Sequence, residues 1–220
     1  MYLSRVEFDQ ASRKNLREMN HLGAFHHWVE TSFPREIQTG ERSRKLWRLD
    51  PLGGRLYLLI VSAGKPDLLA LERYGVPGTA ETKAYDAYLE QLAAGDLLGF
   101  RLVANPVVAR KIDRKTGKKI AGAQERGKII PLTNVTEIED YLLERAPRAG
   151  FALEREHFTV TALTDEKLMK KQRRIMLKKA TFEGQLRITD IAQFRRTLVE
   201  GIGRQKAHGF GLLTVVPWRH

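Results

Sequence analysis

An α+β protein made of two halves of about a hundred residues each is what the sequence predicts, on three observations. Of its 220 residues, 42% are hydrophobic, enough for a packed core, while no apolar run approaches the ~18 residues of a membrane-spanning helix. The first ninety or so residues alternate between strand-like and helix-like patterning. Past glycines at 95 and 99, a second strand–helix pattern begins at Phe100.

Residues 2–8 read as a strand with Tyr2, Val6 and Phe8 on one face. Ser12 is placed to cap a helix running to Val29, because Leu16, Met19, Leu22, Phe25 and Val29 recur at spacings of three and four. Pro34 is expected to end that unit. Residues 45–50 and 56–61 are two strands around the turn Pro51-Leu52-Gly53-Gly54, and 80–94 a shorter helix. Strand, helix, strand, strand, helix is the first run of a ferredoxin-like split βαβ unit. The second half opens with a strand over 100–106 stopped by proline, followed by a segment, 110–128, too polar for a core. A helix over 138–145 and strands over 158–163 and 181–188 follow. Asp190 then caps a helix packing Ile191, Phe194 and Leu198 that stops at Gly201, and 212–216 is a closing strand. The halves are bounded as 1–94 and 99–220, without a strict sequence repeat.

Composition narrows the function. There is no cysteine, which removes disulfides, thiolate metal sites and cysteine nucleophiles. The opening residues lack the order of a secretory signal, so a soluble cytoplasmic protein without a membrane partner is expected. Lys and Arg number 38 against 26 Asp and Glu, a net charge of +12. Such an excess repels itself unless a polyanion relieves it, which puts nucleic acid first among partners. Eight Lys/Arg lie between 110 and 128 against Asp113 and Glu125, and seven lie between 167 and 179 against no acid in that window. A charge run is usually a solvated surface; the density of the second outweighs that reading.

The segment Gly201-Ile202-Gly203-Arg204-Gln205-Lys206-Ala207-His208-Gly209-Phe210-Gly211-Leu212-Leu213 joins the last helix to the last strand. Its glycines let a backbone approach a phosphate, and Arg204 and Lys206 supply charge. It is neither a dinucleotide fingerprint, which opens a helix after a strand, nor a Walker loop, which needs Gly-Lys-Ser/Thr. His21, His26 and His27 crowd the first helix. No spacing of the His-x-x-x-His kind places two metal ligands on one face, so proton transfer beside a phosphate-binding surface is the chemistry they suggest.

With these pieces in view, the chain resembles the CasE family, the type I-E CRISPR repeat-processing endoribonucleases of the Cascade complex. The resemblance rests on Met1-Tyr2-Leu3-Ser4 followed by Arg5, Phe25-His26 with Phe33-Pro34, Leu46-Trp47-Arg48-Leu49, residues 100–106, Thr181-Phe182-Glu183-Gly184, and most specifically the glycine loop. It implies tandem ferredoxin-like (RRM-like) βαββαβ domains. It also implies a metal-independent ribonuclease, without small-molecule cofactor, that cuts a CRISPR repeat RNA at the base of its hairpin. The 2′-hydroxyl attacks the adjacent phosphorus, giving 2′,3′-cyclic phosphate and 5′-OH ends, and the product stays with the other Cascade subunits.

By the same resemblance the catalytic histidine is His26, as base or acid. Gly203, Arg204, Lys206 and Gly209 hold the RNA at the loop, and Lys170, Lys171, Arg173 and Arg174 grip the RNA stem through phosphate and shape contacts. The chain departs from the family at Gly23, where several members have tyrosine. That leaves His21, His27, Lys206 or no residue as the second proton-transfer group. A hairpin-binding module without catalysis is the alternative reading. A metal-dependent DNase would need acidic clusters near His26, which the sequence lacks.

Overall fold

The computed structural model describes residues 1–112, 117–119, 127–170 and 173–218, with Lys170 given by its backbone alone. The first half runs β1 (Tyr2–Glu7), α1 (Arg13–Glu18), α2 (Leu22–Thr31), α3 (Pro34–Thr39), β2 (Lys45–Leu52), β3 (Arg55–Ser62), α4 (Leu68–Leu71), β4 (Glu81–Ala84) and α5 (Asp86–Gln91). Its strands pair antiparallel in the order β2-β3-β1-β4. The second half runs β5 (Leu97–Ala104), β6 (Val107–Arg110), β7 (Lys128–Pro131), α6 (Val135–Leu143), β8 (Phe151–Ala152), β9 (Phe158–Lys170), β10 (Arg173–Ile188), α7 (Ile191–Glu200) and β11 (Leu213–Pro217). Its main sheet is ordered β11-β5-β10-β8, with β9 also on β10. In each sheet the first strand sits between the hairpin's return strand and the last strand, which is the ferredoxin-like order, twice.

Three local expectations change. The long first helix is broken in two. Ser12 does cap α1, its Oγ accepting the Asn15 N–H at 3.2 Å, but the chain extends at His21 (φ −157°, ψ 155°), whose Nδ1 accepts the Ala24 N–H at 3.1 Å and starts α2. A side chain that caps competes with helix continuation, and here it wins. Leu16 is consequently left 48% exposed, while Met19, Leu22, Phe25 and Val29 are buried. Pro34 opens α3 rather than closing the unit, because its fixed φ suits a first helical position and its missing N–H is not needed there. Residues 80–94 are not one helix: the open edge of β1 recruits β4, pairing Tyr2 with Ala84, and α5 is confined to Asp86–Gln91.

Apolar side chains from both halves share the interior. Leu46 and Val61 join Leu102, Phe182 and Leu212 in one cluster; Phe25, Trp28 and Trp47 join Val103, Leu168, Leu177 and Phe210 in the other. A buried arginine ties the halves together. Arg48 on β2 is 1% exposed, and each of its five N–H groups has a partner. Nε and Nη2 grip Asp50 at 2.7 and 2.6 Å, Nη1 donates to the carbonyls of Arg101 and Leu212 at 2.8 and 2.9 Å, and Nη2 also reaches Thr214 Oγ1 at 2.8 Å. No helix among the described residues is long and apolar enough to cross a membrane.

Candidate functional site

His26 lies on α2, where Phe25, Trp28 and Val29 fill the core and leave the intervening residue at the surface. Its side chain is 33% exposed, and its ring meets the ring of His208 edge to face, centroids 5.3 Å apart and planes at 79°. One turn along, Glu30 Oε1 stands 4.0 Å from His26 Nδ1, too far for a hydrogen bond but close enough to act through its field. Behind Glu30 sits Lys45, whose side chain is 1% exposed; its ammonium is 3.5 Å from Glu30, 2.7 Å from Glu36 and 4.7 Å from the Phe33 ring centre. Burial holds the His26 imidazole below its ordinary value of 6.5; Glu30 pulls it up, and His27, Arg42 and Lys45 push it down further. The neutral ring, which accepts a proton, is therefore the dominant form at pH 7.

His208 ends a 3-10 turn, Lys206–His208, within the glycine loop. That turn packs against α2 and β2. The loop is held by its own chain: Trp47 Nε1 donates to Ala207 O at 3.0 Å, Ile202 N to Gly211 O at 2.9 Å, and Gly211 N to Val103 O at 2.7 Å. Two glycines are required for internal reasons. Gly209 has φ 83° and is buried, and a Cβ there would stand 2.7 Å from Trp47 Cζ3. Gly203 has φ 82°, and a Cβ would land on the Tyr141 hydroxyl. Gln205, at φ 60°, is the one non-glycine residue with positive φ among the described residues, a costly conformation of the kind that concentrates at working loops. Arg204 is exposed beside it. The half-buried Lys206 ammonium is held below its ordinary value by burial and by Arg44, against an opposing Glu200.

The second basic cluster is a β-ribbon. β10 leaves β5 at Ala180, so Arg173 to Lys179 pair with β9 alone and the hairpin projects from the sheet. Leu168 and Leu177 bury one face of it among Met19, Leu22 and Phe25, so the arm is fixed to the helix that carries His26. Arg173 and Arg174 are exposed, Lys170 pairs with Arg173 through the backbone, and Lys171 lies outside the described residues. The run is less uncompensated than its window suggested. Across the hairpin, Lys178 faces Asp165 and Lys179 reaches diagonally to Glu166, at 2.8 and 2.9 Å, acids just before the window.

The structure thus brings His208 against His26 and packs the turn that opens at Lys206 on α2, with Arg204 two residues before that turn and close to Tyr141. It differentiates the other histidines. Nδ1 of His21 is committed to the helix cap, and burial and then Lys167 keep that ring neutral. A Cβ at Gly23 would sit 3.0 Å from His21 Nδ1 and 3.3 Å from Met169 O, so the capping imidazole occupies the space of a side chain there. His27 is exposed. The polar 110–128 segment is flanked by the β6–β7 hairpin, and Arg114, Lys115 and Arg126 lie outside the described residues. Sequence reasoning passed over Arg42, Arg44 and Lys45, whose signal was a basic stretch leading into the Trp47 strand, and over His208, a single letter inside a loop read for its glycines. No group of three His, Asp or Glu side chains able to hold a metal occurs among the described residues.

A family model described as "CRISPR associated protein" matches residues 1–217. The CRISPR-associated endoribonuclease Cse3 of Thermus thermophilus is 28% identical over 229 residues, covering 99% of this chain and 100% of that protein. The structure of Thermus thermophilus Cse3 bound to an RNA representing a pre-cleavage complex superposes with a TM-score of 0.74 at 28% identity, over 98% of each chain. A chain of a CRISPR RNA-guided surveillance complex, 19% identical with a TM-score of 0.64 over 99% of this chain and 100% of that one, shares the fold. With the match running through nearly its whole length, the chain belongs to the CRISPR-associated protein family.

Proposed function

We propose that this protein is an endoribonuclease that cuts CRISPR repeat RNA at the base of its hairpin, without metal, and keeps the product as a subunit of a Cascade complex. The observation that carries the reading is the meeting of His26 with the glycine loop, its ring 5.3 Å from that of His208 although 182 residues separate them. The RNA brings its own nucleophile. A 2′-hydroxyl beside the scissile phosphate needs positioning, a group to take its proton, a group to protonate the departing 5′-oxygen, and cations for the developing charge. His26 in its neutral form meets the second need, and Arg204 and Lys206 the last. Arg173 and Arg174, with Lys170 and Lys171, grip the stem. Gly203 and Gly209 let the loop backbone take its shape against Tyr141 and Trp47, which aims the cations. Residues 1–94 form the domain that supplies His26 and residues 99–220 the domain that supplies the arm and loop, consistent with each sheet lying within one half.

The kinship with Cse3 supports RNA as the substrate, and the fold shared with a surveillance-complex chain is compatible with retention after cleavage. The test is a labelled repeat hairpin incubated with the protein in EDTA. Cleavage to a 2′,3′-cyclic phosphate is expected. The His26→Ala variant should bind the hairpin as tightly yet cut it ~10²–10⁴-fold more slowly, the usual contribution of a proton-transfer group. A shifted but intact RNA with the wild-type protein would instead establish a binding module, and wild-type rates from His26→Ala would remove this histidine from the chemistry. The rate should climb with pH through a value below 6.5, because the deprotonated ring is the active form and the fold depresses its protonation.

A further inference from the structure

We infer that His208 is the second proton-transfer group of this site: it protonates the departing 5′-oxygen of the RNA while His26 takes the proton of the 2′-hydroxyl. The inference rests on the endoribonuclease reading above and adds the residue that Gly23 leaves unassigned.

In-line displacement places the entering and leaving oxygens on opposite sides of one phosphorus, so base and acid must be two groups held a short, fixed distance apart. Among the described residues, the ring that stands against His26 is that of His208, with centroids 5.3 Å apart and planes at 79°. Both rings are positioned by rigid elements. His26 sits on α2 between core residues. His208 closes a turn whose carbonyl at Ala207 is held by Trp47 and whose own N–H donates to Gln205 O at 2.8 Å. The charges around the pair set the polarity. Glu30, His27, Arg42 and Lys45 face His26, and their sum with burial favours its neutral form. His208 stands on the loop that also carries Lys206 and Arg204, the cations that would draw the scissile phosphate toward its ring.

The step balances without a co-reactant. The 2′-oxygen forms a bond to phosphorus as its proton passes to His26. The P–O5′ bond breaks, its electron pair stays on the 5′-oxygen, and that oxygen takes the proton of His208. Exchange with water restores the starting protonation of both rings.

The test compares wild type, His208→Phe and His26→Ala under single turnover on the host repeat hairpin, and on the same RNA with sulfur replacing the bridging 5′-oxygen. A thiolate departs without an acid. His208→Phe, which keeps the aromatic edge against His26, should cut the oxygen RNA ~10²–10⁴-fold more slowly at unchanged hairpin affinity, lose the fall in rate at high pH, and regain near-wild-type rates on the sulfur RNA. His26→Ala should stay slow on both. His208→Gln is the second variant if the phenylalanine form melts early. Wild-type cutting by either His208 variant, beside an inert His26→Ala, would overturn the assignment of His208 and leave that of His26. A slow His208 variant that sulfur fails to rescue would also overturn it, as would rescue of His26→Ala instead. Wild-type cutting by His26→Ala would overturn the parent reading.

Discussion

The glycine loop and the β9–β10 arm both carry cations, yet they hold them by opposite means. In the loop, Arg204 and Lys206 ride on a backbone bonded to Trp47, Val103 and itself, with glycines pressed against Trp47 and Tyr141. In the arm, Arg173 and Arg174 stand exposed at the end of a two-stranded ribbon packed on one face, through Leu168 and Leu177. A cation fixed before the reaction costs no reorganisation when charge develops, so the loop belongs to the rate. A cation on an exposed ribbon acts by releasing counterions from the RNA, so the arm belongs to affinity and its salt dependence. The two regions should therefore respond to mutation along different axes.

The largest effect should come from beneath the loop. Arg48→Met would remove three hydrogen bonds from β2 to Arg101, Leu212 and Thr214 and two to Asp50, leaving Asp50 facing Arg101 alone, at 3.5 Å. Breaking a buried pair of this kind costs roughly 3–5 kcal/mol, and the lower end is expected because Arg101 remains. Urea unfolding measures it, and a loss below 1 kcal/mol would mean that the loop's scaffold is held elsewhere.

Gly209→Ala comes next. A methyl group at φ 83° and 2.7 Å from Trp47 should cost ~2 kcal/mol, combining left-handed strain with a clash. Because the displaced turn carries the loop cations, single-turnover cleavage should fall by more than hairpin affinity. Equal losses in both would erase the distinction between loop and arm.

How much of this was written in the sequence follows from what each feature depends on. The order of strands and helices was legible because periodicity is local, and so was the pairing around Gly53-Gly54. The break at His21 was not, since it turns on one imidazole choosing a backbone N–H over solvent, and neither was β4, which forms because β1 offers an open edge. Within the candidate site, the glycine loop that the family resemblance pointed to packs its Lys206–His208 turn on the helix of His26, while Arg204 lies toward Tyr141. The supporting shell did not show, because Lys45 beneath Glu30 and His208 against His26 are tertiary contacts across strand and loop. The acids that balance Lys178 and Lys179 were hidden by register, which sets Asp165 opposite Lys178 and brings Glu166 diagonally within reach of Lys179.

In the arm, replacing Arg173 and Arg174 together by Ala should weaken hairpin binding and reduce the salt slope by about one unit per lost phosphate contact, while saturating cleavage rates stay near wild type. Filter-binding across a salt series checks the first part and single-turnover kinetics the second. A changed maximal rate would mean that the ribbon also orients the scissile bond.

The smallest effect sharpens the comparison most. Asp165 and Glu166 neutralise Lys178 and Lys179 at the root of the ribbon, and partly exposed surface pairs of this kind contribute ~0–1 kcal/mol to stability. Asp165→Asn with Glu166→Gln should therefore leave the melting curve almost unmoved. If the ribbon works by its net charge, the freed ammonium groups should tighten hairpin binding a few-fold at low salt and steepen the salt slope, and the gain should vanish as screening shortens the reach of the field. Binding that is unchanged at low salt would confine the contact to Arg173 and Arg174 at the tip. Lys178 and Lys179 would then serve the hairpin's own register.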